Sequence, residues 1–109
     1  MTIIMVNSLF ILLYAPSVRD HLRTIDRKFY TLIKTAIEEQ LSNEPDIETK
    51  NRKPLSPASE YGEWEIRFGP KNRFRVIYRF SIEKRKVTIG AIGEKRGNRF
   101  LIAGEEILL

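Results

Sequence analysis

Between Arg67 and Arg99 the chain carries eleven lysines and arginines against two carboxylates, Glu83 and Glu94. Cations at this density attract a polyanion and speed encounter with it. The stretch EWEIRFGPKNRFRVIYRF, residues 63–80, alternates apolar and charged side chains and reads as two strands of a hairpin. Apolar faces must coincide across a sheet, so the pairing can be derived. Pairing Gly69 with Arg73 leaves a three-residue loop, Pro70-Lys71-Asn72, with Asn72 suited to a left-handed position. Arg67 then faces Arg75, Glu65 faces Ile77, and Trp64 faces Tyr78 on the core side. Two like charges ~6 Å apart repel by roughly 3 kcal/mol at an effective dielectric near 20. Such a pair is costly on a bare surface and useful for gripping a phosphate.

A second hairpin in which Ile82 pairs with Val87 sets Ile77 against Ile92, Arg79 against Gly90 and Glu94 against Arg75. The polar face would then carry a row Arg67–Arg75–Glu94, with Glu94 a candidate ion-pair partner. Arg73, Arg79, Lys95, Arg96 and Arg99 crowd nearby sequence with no further carboxylate. Phe100 follows the basic turn, where an aromatic ring could stack on a base. Trp64, Tyr78 and Tyr30 read as core or boundary residues.

Composition narrows the chemistry. The 109 residues, 42% hydrophobic and 30% charged, suit one globular domain spanning 1–109. There is no cysteine, and His21 is the sole histidine, read as a surface or boundary side chain. Disulfides, cysteine chemistry and paired-histidine metal sites are therefore excluded, and no metal or cofactor is expected. The net charge of +5 conceals an asymmetry: residues 1–66 and the tail 100–109 are each acidic, and 67–99 holds the excess. The apolar start MTIIMVNSLFILLYAP lacks a cationic leader and is interrupted by Asn7 and Ser8. It falls short of the ~18–20 apolar residues of a membrane span. Leu9–Tyr14 reads as a buried first strand, residues 1–8 as extra chain or an extension of it, and a cytoplasmic location follows.

The elements that must position these cations can also be read. Ser17-Val18-Arg19-Asp20 has the form of a capping box opening a short helix with Val18, Leu22 and Ile25 on one face. Asp26 caps a second helix, whose Phe29, Leu32, Ile33, Ala36, Ile37 and Leu41 follow helical spacing until Asn43-Glu44-Pro45. Residues 43–63, with three prolines and Gly62, read as a loop pinned by Leu55. Trp64–Phe68, Phe74–Ile82 and Val87–Gly93 read as strands. The expected fold is α+β: an N-terminal strand, two antiparallel helices, then a three-stranded antiparallel meander with the helices on one side. RFLIAGEEILL at the end reads either as a short strand turning at Gly104 or as a fraying helix.

In this order, KPLSP (53–57), WEIRFG (64–69), RFRVIYRF (73–80) and IGEKRGNR (92–99) resemble the RelE/ParE superfamily, the toxins of type II toxin–antitoxin modules. The resemblance runs from Leu9 to about Ile102. It implies a ribosome-dependent, metal-independent mRNA endonuclease in which the RNA 2′-hydroxyl is the nucleophile. Arg75 corresponds to the family's strand arginine, Arg67 to a basic residue on the preceding strand, and Lys95-Arg96 to the basic end of the last strand. The implied catalytic set is Arg67, Arg75, Glu94, Lys95 and Arg96. The implied RNA contacts are Lys53, Arg73, Arg79, Arg99 and Phe100. The partners would be a cognate antitoxin, the ribosome and mRNA. The chain departs from the pattern in lacking a C-terminal tyrosine or histidine and in having Lys53 where some relatives have a carboxylate. Arginine stays protonated, so Glu65, Glu94 or Lys53 must serve as general base, and no spacing selects one. These departures leave open a DNA gyrase inhibitor of ParE type, or a degenerate member that only binds an antitoxin.

Overall fold

A computed structural model describes residues 9–108; the apolar start at 1–8 lies outside the described residues. Seven strands form one curled sheet: β1 (Ile11–Tyr14), β2 (Arg52–Ser59), β3 (Gly62–Phe68), β4 (Phe74–Ser81), β5 (Lys86–Arg96), β6 (Arg99–Ile102) and β7 (Glu105–Glu106). Strands β2 to β7 follow one another antiparallel as a half-barrel, while β1 lies parallel to the first part of β5. The expected pair of helices on a three-stranded meander is overturned. Only α2 (Tyr30–Leu41) has real length, and α1 (Val18–Arg23) is a six-residue turn and a half.

Each difference has a local cause. Residues 43–63 are not all loop, because Pro54 and Pro57 sit on the outer strand β2, where a missing N–H costs no ladder bond. The Pro54–Ser59 irregularity lets β2 bend over the sheet. The C-terminal residues resolve as the strand alternative, turning through Ala103 (φ 53°) and Gly104 (φ 81°) into β7. The first strand is not buried: Ile11 and Leu13 are about half exposed, because β1 is an edge with one packed face. At α1, Ser17 makes no side-chain cap, and Asp20 instead pairs forward with Arg23 at 3.1 Å. Asp26 does cap, accepting from the Lys28 N–H at 3.0 Å, but its 3₁₀ turn Arg27–Phe29 precedes α2.

The main core lies between α2 and the sheet. Ile33, Ile37 and Leu41 of α2 pack with Val76, Tyr78 and Ile89, and the spacing of those three positions is the buried stripe expected of a helix. Buried Arg52 secures the connection, donating to the Ile47 and Gln40 carbonyls and the Gln40 side chain. The Tyr78 hydroxyl donates to the Pro45 carbonyl at 2.6 Å and its burial pushes its pKa up. A second, smaller cluster on the opposite face joins Ile77, Ala91, Phe100 and Ile102 under Leu55, Tyr61 and Ile107. That face carries Arg67 and Arg75.

Candidate nucleic-acid interface

The β3–β4 register is as derived: Trp64 pairs with Tyr78, Glu65 with Ile77, and Arg67 with Arg75. Pro70–Asn72 closes the hairpin as a 3₁₀ turn, with Asn72 left-handed at φ 55°. The β4–β5 register differs from the derived one. Ile77 pairs with Ala91 rather than Ile92, Arg79 with Thr88 rather than Gly90, and Arg75 with Gly93 rather than Glu94. The cause is a turn of the same four-residue length placed one residue earlier, with Ser81 against Lys86, and a bulge opposite Ile77/Tyr78 that leaves Gly90 unpaired. A side chain at Gly90 would begin 1.9 Å from the Tyr61 carbonyl oxygen, so the β2–β3 turn rests there directly on the strand.

One step of register moves Glu94 to the helix-covered face, opposite Phe74. There it is buried, and it pairs with Arg73 at 2.6 Å and Arg96 at 3.1 Å. Arg73 also lies over the Phe29 ring at 4.6 Å, and Arg96 donates to the Thr24 carbonyl at 3.1 Å. This cluster fastens the start of the helical layer to the sheet. Glu94 is therefore not beside Arg75.

Glu65 is the carboxylate that is. It is 1% exposed and stands between the two arginines. Its Oε1 accepts from Arg67 Nε at 3.0 Å, while Oε2 lies 3.4 Å from Arg75 Nε and accepts no hydrogen bond. A cleft of about 180 Å³ opens over them, walled by Lys53, Arg67, Arg75 and the Pro54–Pro57 stretch of β2. Lys53 is the cross-strand neighbour of Glu65. Burial pulls the Arg75 pKa below its ordinary value, with Glu65 opposing and Arg67 adding to the shift. A guanidinium so far above neutrality still remains protonated. The directly opposed arginines are thus tolerated because one carboxylate lies between them, and the cleft keeps a net positive charge.

The other predicted residues divide. Lys95 lines a neighbouring cleft of about 280 Å³ with Lys71 and Arg73 at the same end of the sheet. Among the described residues neither Lys71 nor Lys95 has an ion-pair partner. Arg79 stands apart, paired with Glu63 at 3.5 Å, and Arg99 pairs with Glu106 at 3.3 Å. Phe100 is 9% exposed, and the Arg75 guanidinium lies over its face at 4.5 Å. The ring is covered and offers no open platform to a base.

His21 is likewise buried, contrary to the surface or boundary position expected. Its Nδ1 accepts the Ile92 N–H at 3.3 Å, and burial lowers its pKa below 6.5. No three His, Asp or Glu side chains converge as metal ligands among the described residues. The signal that could have found Glu65 was present: it shares the two-residue period of Arg67 and is diagonal to Arg75. Neither a family model nor a curated protein matches this chain.

Proposed function

We propose that the protein is an RNA-cleaving toxin of RelE type, acting on messenger RNA at the ribosome in the cytoplasm and restrained by a cognate antitoxin. The observation that carries this reading is the Arg67–Arg75 pair held across one buried carboxylate in an open cationic cleft. The resemblance of residues 53–99 supplies the toxin class, and the cleft supports the chemistry. Two guanidiniums offer planar forks to the non-bridging oxygens of a phosphodiester. They also lie where charge would grow in a pentacoordinate transition state, the contribution that usually dominates catalysis.

Glu65 is the base this geometry favours. Glu94 is on the other face and committed to Arg73 and Arg96, whereas Glu65 lines the cleft and its Oε2, 3.4 Å from Arg75 Nε, accepts no hydrogen bond. In the proposed step Oε2 takes the proton of a 2′-hydroxyl, whose oxygen attacks the adjacent phosphorus. The bond to the 5′-oxygen breaks, and the Lys53 ammonium protonates the departing oxygen. The products are a 2′,3′-cyclic phosphate and a 5′-hydroxyl. Antitoxin docking suits the apolar groove of about 320 Å³ between α1, α2 and β5, lined by Leu22, Tyr30, Ile33, Ile37 and Ile92. Arg19 and Arg23 line the adjoining groove and favour an acidic amphipathic segment.

The test is purified protein in a translating extract with end-labelled message. Cleavage is expected, with Arg75→Ala lowering it about 10²–10³-fold while far-ultraviolet circular dichroism stays native. Intact message at saturating wild-type protein would sink the proposal. Inhibited gyrase supercoiling with intact message would replace it by the ParE-type alternative.

A further inference from the structure

Arg75 differs from the other arginines of the sheet in how it is held. Arg73 and Arg96 are fixed by hydrogen bonds to Glu94, and Arg67 by one to Glu65. Among the described residues Arg75 makes no hydrogen bond, and its one ionic contact is through Nε to Glu65 Oε2 at 3.4 Å. Its side chain is nevertheless only 20% exposed. What confines it is the Phe100 ring, 4.5 Å beneath the guanidinium.

The ring in turn depends on Gly93. This residue is the cross-strand partner of Arg75. A Cβ there would lie 2.4 Å from two Phe100 ring carbons and 2.8 Å from the Leu101 carbonyl oxygen. The ring therefore lies against the strand in the space a side chain would occupy. The Phe100 carbonyl also accepts the Ile107 N–H at 2.9 Å, which anchors the strand beneath it. A cation over an aromatic face is attracted by the ring quadrupole without using any N–H donor.

We infer that Phe100, seated on Gly93, is a positioning residue that fixes the guanidinium plane of Arg75 while leaving its Nη donors free for a phosphate. This rests on the cleavage reading above for its consequence, although the clamp itself is a property of the fold. A hydrogen-bonded arginine would have to break bonds before gripping a ligand; one held by its face would not. A displacement of about 1 Å at such a group can cost about 10²-fold in rate.

The experiment compares Phe100→Leu with Phe100→Tyr in the wild-type background, by RNA cleavage and by nuclear magnetic resonance of the Arg75 Nε–Hε group. In the wild type that resonance should carry the ring-current shift of a proton near an aromatic face. Phe100→Leu should abolish the shift and lower kcat about 10²-fold with KM changed less than about threefold. Phe100→Tyr keeps the ring and should retain both, which separates positioning from simple loss of packing. An unchanged Arg75 resonance and unchanged kcat in Phe100→Leu would overturn the inference, as would equal losses in the two variants. Should the wild type cut no RNA, the cleavage reading falls, and the clamp is judged separately. Its Arg75 resonance would then be titrated with inorganic phosphate, and an identical response in wild type and Phe100→Leu would overturn it.

Discussion

Glu65 decides the character of the cleft. A carboxylate buried between two guanidiniums holds them apart, yet one of its oxygens has no hydrogen bond. Replacing it with glutamine keeps the shape and an acceptor for Arg67 but removes both charge and basicity. Glu65→Gln is expected to stay folded with a loss of about 1–3 kcal/mol, measured by urea denaturation. Its RNA cleavage should drop about 10²–10⁴-fold. Arg79→Ala is the matched control: its partner Glu63 is half exposed, so stability should move by about 0–1 kcal/mol and cleavage should not change. At this scale alternation made Arg67 and Arg75 legible. Glu65 stood among three candidate bases, but its place between the two arginines was hidden because attention to directly opposed pairs passes over a diagonal neighbour two residues away.

The elements were legible where periodicity and turn chemistry agreed, as in β3, β4 and the turn between them. They were misread where a single residue changed the count. Gly90 shifts the register and sends Glu94 to the other face, and the bulge is set by the distant Tyr61 carbonyl, which no local pattern announces. Prolines concealed β2 because an outer strand tolerates them. His21 belongs to this scale too, since β1 pairs with residues 86–89 of β5 and β6 with 93–96. Between them the edge of β5 is bare, and His21 Nδ1 satisfies the Ile92 N–H in the gap. Tyr61 meets the imidazole edge-on at 6.1 Å, and Asp20 is the nearby charge that favours protonation without outweighing burial. The folded pKa lies below 6.5, so the unfolded chain binds the proton first. The stabilisation is therefore complete above pH 6.5 and is lost as the pH falls through 6.5 toward the folded value. The urea midpoint should drop between pH 7.5 and pH 5, and His21→Gln should flatten that dependence relative to the wild type.

Across the whole molecule, charge is sorted by face. Lys53, Arg67 and Arg75 surround one cleft, and Lys71 and Lys95 mark the next. A single strand crossing the first cleft should release counterions from about three phosphates, giving a log K against log salt slope near −2. Fluorescence anisotropy with an uncleavable oligonucleotide from 50 to 300 mM salt checks this. Lys53→Ala should flatten the slope by about 0.7, whereas Arg79→Ala should leave it unchanged. No helix of the described residues is long and apolar enough to cross a membrane. The basic surface was legible from composition alone, but which cations share a cleft depends on curvature and register, which composition does not carry. One arrangement also governs the order of assembly. Strand β5 touches β1, β4 and β6, and its parallel contact with β1 joins Ile11 to Lys86. Loops that long are entropically slow to close. Strand β5 meets β4 and β6 through short hairpins, so by closure entropy the costly contact is the docking of β1, which needs the β5 edge as its template.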